Sequence, residues 1–230
     1  MSGDAGGGRQ SARWRVASPA VLGVLVAGAC LGAYFELAED LRISPVVFAF
    51  DTQLTAMIEG WRTPLLTWFF RVVTWGASSV PVTGAAVAAV AVLLWFAHHR
   101  EALFVAIVAG AGTGLGTVAK QITARPRPPV ANALVELPTS FSFPSGHTLA
   151  ALLLWSVVVI AVWRSTARGT LRWLALAVGL AIAVLTGVSR VYLGVHWPSD
   201  VLASWLLGTA WLALCLGGFF TWERVVGQAC

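Results

Sequence analysis

An all-α integral membrane bundle is the fold class that this sequence predicts, and three observations predict it. Of 230 residues, 58% are hydrophobic and only 11% charged, a balance well outside that of soluble domains. Apolar stretches of the length needed to cross a bilayer, roughly 20 residues each, recur along the chain. The links between them are short, so one compact helical domain is expected.

Six spans can be marked, at residues 18–35, 80–97, 102–120, 148–163, 173–189 and 201–220, and together they predict a single six-helix bundle. Between the first and second, residues 48–75 mix apolar positions at helical spacing with Asp51, Glu59, Arg62 and Arg71. This segment is expected to lie along the membrane surface as an interfacial amphipathic helix, with Arg42, Arg62 and Arg71 as ordinary headgroup-facing charges. Residues 1–17 are rich in Gly, Ser and Arg and precede an apolar run that no A-x-A site closes. They read as a disordered cytosolic tail before an uncleaved first helix. The membrane domain is expected over 18–222, with a short cytosolic tail at 223–230.

With the N-terminus in the cytosol, Arg9, Arg13, Arg15, Arg100, Arg164, Arg168, Arg172 and Arg224 fall on the cytosolic side. The bias strengthens once Lys120, Arg127 and Arg190 are set aside, because these stand beside His147, His196 and Asp200 and suit chemistry. Tryptophans such as Trp75, Trp95, Trp163, Trp173 and Trp222 flank the spans, where an amphipathic ring suits the headgroup zone. Gly110, Gly112, Gly114 and Gly116 form two overlapping small-xxx-small patterns that favour close helix packing, with no preceding strand to make them a nucleotide loop. Cys30, Cys215 and Cys230 are too scattered for a disulfide framework or a ligand cluster, and His98 and His99 read as solvated loop residues.

Three short segments place costly polar groups at span ends, all on the same, non-cytosolic side. The first leaves the third span as Lys120-Gln-Ile-Thr-Ala-Arg-Pro-Arg127-Pro128; the second, Pro144-Ser145-Gly146-His147, opens the fourth. The third is Ser189-Arg190, then His196 and Asp200. Taken singly, each cation would be an ordinary interfacial charge. Together, Lys120, Arg127 and Arg190 suit a multi-oxygen anion such as phosphate, the arginine forks holding paired oxygens and the lysine acting as a point charge. Ser145 is a natural helix N-cap, and Gly146 lets backbone N–H groups approach the anion. His196 and Asp200 are four apart, so the carboxylate can hold one ring nitrogen and leave the other as a nucleophile. Two histidines and a carboxylate could instead bind zinc. The three cations beside them and the scarcity of further acids, with Glu136 alone in the intervening loop, argue against a metal; no cofactor is expected.

These residues resemble the type 2 phosphatidic acid phosphatase family, whose motif runs K-x6-R-P, P-S-G-H and S-R-x5-H-x3-D. Lys120, Arg127, Pro128, Pro144, Ser145, Gly146, His147, Ser189, Arg190, His196 and Asp200 match every position. The resemblance covers about 80 residues directly. Arg125, in the preceding Arg-Pro pair, lacks the family spacing and is assigned nothing. The resemblance implies Lys120, Arg127, Arg190, Ser145 and Gly146 as phosphate ligands, His196 as nucleophile, Asp200 as its partner and His147 as proton donor. It also implies a metal-independent lipid phosphatase in the plasma or bacterial inner membrane, acting on polyprenyl diphosphate, phosphatidic acid or phosphatidylglycerol phosphate. Membrane lipids are the expected surroundings and nucleic acid is not an expected partner. A lipid phosphotransferase and a catalytically silent lipid transporter stand as alternatives.

Overall fold

The computed structural model describes residues 18–228, and every regular element in them is helical. Prolines start several of the helices, in the first-turn position where the missing N–H costs nothing. Helix α1 (Pro19–Ile43) is capped by Ser18, whose hydroxyl accepts from Val21 N at 3.2 Å. Helix α2 (Pro45–Glu59) follows at once, and α3 (Pro64–Gly76) is capped by the Thr63 hydroxyl. Next come α4 (Ser79–Trp95), α5 (His99–Ala106) and α6 (Gly112–Thr123), the last two joined by a π turn over Ile107–Ala111. Helices α7 (Gly146–Ser165), α8 (Gly169–Tyr192) and α9 (Pro198–Gln228) complete the chain.

Five segments are individually long and apolar enough to cross a membrane: Pro19–Arg42, His99–Thr123, Gly146–Ser165, Gly169–Tyr192 and Pro198–Val226. The expected second span, 80–97, differs. Helix α4 qualifies only together with α3, from which it is bent by 41°, so the pair is a sixth candidate, as a broken span or a re-entrant loop. The single surface helix expected over 48–75 is instead two helices, α2 and α3, separated by Gly60, Trp61, Arg62 and Thr63. The sequence favours that break, because Gly60 ends one helix and Thr63-Pro64 caps and starts the next. At the far end, α9 continues past residue 222 to Gln228 where a tail was expected. The N-terminal 1–17 and Cys230 lie outside the described residues.

Helix α1 runs along α9, and α7 packs on α8. The first contact depends on backbone approach: a Cβ on Gly23 would stand 2.5 Å from the Ala213 carbonyl oxygen, and one on Gly217 would stand 2.9 Å from that of Pro19. In a bilayer, where hydrophobicity gives helices no reason to prefer each other over lipid, such close packing is what holds them. Of the predicted glycine pattern, Gly112 and Gly116 are buried against Leu153 and Leu149, whereas Gly110 and Gly114 face open space. The π turn frees the Val108 carbonyl, which accepts from Trp211 Nε1 at 3.2 Å.

Two apolar clusters result. One joins Tyr34, Phe104, Val108, Phe143, Leu149, Leu153, Leu207 and Phe219 at the bundle centre. The other, with Ile58, Phe70, Val191, Tyr192, Leu193, Val195 and Val201, fastens α2 and α3 to the turn between α8 and α9. Polar contacts reinforce the second. Arg62 donates to the carbonyls of Tyr192 and Asn132, Thr63 N donates to Tyr192 Oη at 3.0 Å, and Arg71 donates to Leu134 O at 2.6 Å. Arg62 and Arg71, expected as headgroup-facing charges, thus also tie the α2–α3 region to the loops beside it. Side chains such as Leu22, Leu25, Phe35, Val80, Val87 and Leu174 remain exposed on the outside of the bundle, as lipid-facing positions do.

Candidate active site

The C-termini of α6 and α8 and the N-termini of α7 and α9 meet at one end of the bundle, and this brings all three motifs together. Lys120 is on the last turn of α6, Ser145 is the N-cap of α7, and Gly146 and His147 open that helix. Arg190 is on the last turn of α8, and Asp200 is in the first turn of α9. His196 lies in the turn between those two helices. Gly194 makes that turn possible: it has φ +72°, and a Cβ there would collide with the Asn132 carbonyl.

His196 is 1% exposed and Asp200 fully buried. The imidazole Nδ1 stands 3.2 Å from Asp200 Oδ2, and Nε2 stands 3.1 Å from Arg127 Nη1. A guanidinium can only donate, so Nε2 is the unprotonated nitrogen and Nδ1 carries the proton toward the carboxylate. Burial pushes the His196 pKa from its usual 6.5 down to about 3; hydrogen bonding and attraction from Asp200 oppose the shift, while Arg190 and Arg127 add to it. The ring is thus neutral at physiological pH with its lone pair facing Arg127. Asp200 Oδ2 also accepts from Trp197 N at 2.9 Å and, through a very short bond, from the Ser142 hydroxyl.

The cations divide by how their donors are used. Lys120 Nζ donates to the carbonyls of Pro144 at 2.6 Å, Phe141 at 2.7 Å and Ser142 at 3.3 Å, which engages all three of its protons. These bonds fix the loop before α7 and would leave Lys120 only its charge to offer an anion. Arg127 donates to Ser140 O at 2.9 Å and Val195 O at 2.7 Å as well as to His196, and burial lowers its pKa. Arg190 is the opposite case. It is 3% exposed, its Nη1 donates to Thr74 Oγ1 at 2.6 Å, and its Nε has no hydrogen-bond partner among the described residues. A buried guanidinium with an unused donor is costly unless something meets it. His147 is half-buried and within electrostatic reach of Arg190, His196, Arg127 and Lys120. Ser145 is fully buried; its hydroxyl accepts from Thr148 at 2.9 Å and its N–H donates to Asp200 O at 3.2 Å.

Arg125, Ser142, Asp51, Ser199 and Thr74 belong to this site, and motif spacing missed them. Arg125 joins Asp200 to Asp51. The only signal for Asp51 in the sequence was a carboxylate among the apolar positions of α2. Nothing comparable pointed to Ser142 or Thr74. Among the described residues no group of three or more His, Cys, Asp or Glu side chains could hold a metal ion.

Residues 101–224 match the model of the PAP2 superfamily. The chain is 40% identical over 103 residues to an undecaprenyl-diphosphatase of Sulfolobus acidocaldarius, covering 43% of this chain and 45% of that one. It is 34% identical over 117 residues to phosphatidylglycerophosphatase B of Bacillus subtilis, covering 50% and 57%. The chain thus spans about half the length of the curated relatives it matches. A solved structure described as the first transmembrane PAP2 type phosphatidylglycerolphosphate phosphatase from Bacillus subtilis superposes with a TM-score of 0.72 at 26% identity, covering 86% of this chain and 95% of that one. The helices that carry the three motifs are the segment the family model matches, and with membrane-spanning helices of matching architecture around them, this chain is a multi-pass membrane protein that belongs to the PAP2 superfamily.

Proposed function

We propose that the protein is a metal-independent phosphatase of lipid phosphates or diphosphates that works through a phosphohistidine. The observation that carries this reading is the His196–Asp200 pair, whose uncommitted proton pattern leaves Nε2 as an acceptor beside Arg127. In the proposed reaction Nε2 attacks phosphorus in line, and Arg127 turns its Nη1 from the imidazole to a phosphate oxygen. Arg190 meets another oxygen with its free Nε, the N–H groups of Gly146 and His147 and the Ser145 hydroxyl add donors, and Lys120 contributes charge. His147 protonates the departing oxygen. Water, activated by the same imidazole, then cleaves the phosphohistidine, releasing phosphate and restoring His196.

Where the helix ends meet, Gly146 is exposed and Arg127 and His147 are partly exposed, so a lipid could present its headgroup there while its tail stays in the bilayer. That supports a lipid substrate, and the relatives named for undecaprenyl diphosphate and phosphatidylglycerophosphate support polyprenyl diphosphate and phosphatidylglycerol phosphate, with phosphatidic acid of the same chemistry. The membrane domain is assigned to 18–222, the N-terminus to the cytosol and the site to the non-cytosolic face, on the arginine bias of the remaining loops. Purified protein given each of these lipids should release phosphate in excess chelator, and vanadate should inhibit as a mimic of the five-coordinate transition state. Turnover only on adding zinc or magnesium, or transfer of the phosphoryl group to an alcohol without phosphate release, would overturn the reading. For sidedness, Val130→Cys in intact cells should react with an impermeant thiol reagent and Ala167→Cys should not; the reverse pattern puts the site in the cytosol.

A further inference from the structure

Arg125 stands outside the motif spacing, yet it is the cation that touches Asp200. Its Nη1 donates to Asp200 Oδ1 at 2.5 Å and to Ser199 Oγ at 2.8 Å, while its Nη2 donates to Asp51 Oδ2 at 2.5 Å. Asp51 also accepts from Ser199 N at 2.9 Å and Ser199 Oγ at 2.6 Å. Both carboxylates are all but fully buried. The backbone is bent to make this possible: Ala124, which ends α6, has φ +47°, a left-handed conformation rare for alanine. Such an outlier persists only where its surroundings enforce it. The Arg125 guanidinium also lies over the Trp197 ring, 5.5 Å from its centroid.

The two oxygens of Asp200 are therefore divided. Oδ2 serves His196, Ser142 and the Trp197 N–H, and Oδ1 serves Arg125. We propose that Arg125 is a positioning residue for the reaction: it holds Oδ1 so that Oδ2 stays aimed at His196 Nδ1, and Asp51 with Ser199 holds Arg125 in turn, away from the phosphate. The inference rests on the reading of His196 as the nucleophile. Two carboxylates and one guanidinium leave one net negative charge beside an imidazole that becomes cationic when it bonds to phosphorus, so the group stabilises the intermediate without neutralising Asp200. Arg125 is not a further phosphate ligand, since turning it toward substrate would strip two buried carboxylates of their counter-charge. A lysine cannot replace it, because the two carboxylates are met by two separate nitrogens of one rigid fork. Asp51 links this chemistry to α2, a helix that contains none of the motif residues.

The test compares Arg125→Lys and Asp51→Asn with wild-type protein and His196→Ala in detergent micelles. A short-chain phosphatidic acid is the substrate and inorganic phosphate the competitor. Arg125→Lys should lower kcat about 10- to 100-fold, the scale for misaligning a group that orients another. KM and the inhibition constant for phosphate should stay within about twofold. Asp51→Asn, which keeps the acceptor for Ser199 but removes its charge, should give a smaller loss of the same kind, and it decides the matter by the same split if Arg125→Lys does not fold. A raised KM and weakened phosphate inhibition at unchanged kcat would make Arg125 a phosphate ligand and overturn the proposal. Wild-type kcat per folded molecule in both variants, with His196→Ala inactive, would overturn the proposal alone. Wild-type turnover by His196→Ala would overturn the underlying assignment of the nucleophile instead.

Discussion

Arg190 should be a residue whose loss removes activity without weakening the fold. It is a cation at 3% exposure with no carboxylate in ion-pair range among the described residues, one hydrogen bond to Thr74, and an unpartnered Nε. Replacing it with methionine, of similar length and flexible enough to fill the space, removes a buried charge whose desolvation costs several kcal/mol. Against this stands the loss of the charge-assisted Thr74 bond, about 1.5 to 3 kcal/mol, which is partly recovered because the Thr74 hydroxyl can turn to a carbonyl of its own helix. The thermal midpoint of Arg190→Met should therefore equal or exceed that of wild type. The bonds it would make to phosphate are charge-assisted, at least about 1.5 kcal/mol each, so two of them set a lower bound near 3 kcal/mol, or about a hundredfold in kcat/KM. A ligand at 100 times its dissociation constant stabilises a protein by about 2.7 kcal/mol, so inorganic phosphate should raise the wild-type midpoint and leave that of Arg190→Met unmoved. Thermal shift with and without phosphate, beside turnover of a lipid phosphate, measures all three quantities. A lowered midpoint with the phosphate shift and activity retained would refute the argument and make Arg190 a structural residue.

The two histidines should fail differently: His196→Ala should abolish turnover of every substrate, whereas His147→Ala should lose about 100- to 10,000-fold on an alkyl monophosphate and much less on an aryl phosphate or a diphosphate, whose leaving groups need less protonation. Equal losses of His147→Ala across that series would remove it as the leaving-group acid. Gly194→Ala should destabilise the protein by at least about 1 to 3 kcal/mol, the scale for non-glycine backbone strain, with the clash against Asn132 added; an unchanged thermal midpoint would contradict it. Because His196 binds a proton only near pH 3 when folded but near 6.5 when unfolded, the unfolded chain takes up the extra proton between those values. Stability should fall as pH drops from 6.5 toward 3, more steeply in wild type than in His196→Gln. Parallel curves for the two proteins would show that His196 titrates normally.

The motif residues were legible because polar groups in a bilayer protein need a reason, and Lys120, Arg127, Arg190, His147, His196 and Asp200 shared one place and one chemistry. Their convergence follows from helices of bilayer length, which fix which ends meet. What the sequence hid was the use of each donor. Nothing in the spacing shows that Lys120 serves three carbonyls while Arg190 keeps an Nε free, since that depends on how the loop at 141–145 folds back over α6. Arg125 was missed for a related reason: counting from Lys120 selects one of two adjacent Arg-Pro pairs, and only the left-handed turn at Ala124 shows where the other goes. At 48–75 the sequence did not show where Arg62 and Arg71 bond, because their partners are main-chain carbonyls, which leave no trace in the amino-acid pattern.

Each motif is bonded to the other two. The lysine of the first donates to the Pro144 carbonyl of the second, the Ser145 N–H of the second donates to the Asp200 carbonyl of the third, and Arg127 of the first donates to the Val195 carbonyl beside the third. Ser204 closes the second and third again by donating to Ser145 O at 2.9 Å. The contacts form a closed circuit across four helix ends, so opening any one loosens the geometry of the other two. Effects of substitutions around it should be non-additive in the manner of residues sharing one network, a second change costing less than it does alone. On the proposed function, catalytic competence would then belong to the assembled helix ends jointly and to no one motif alone.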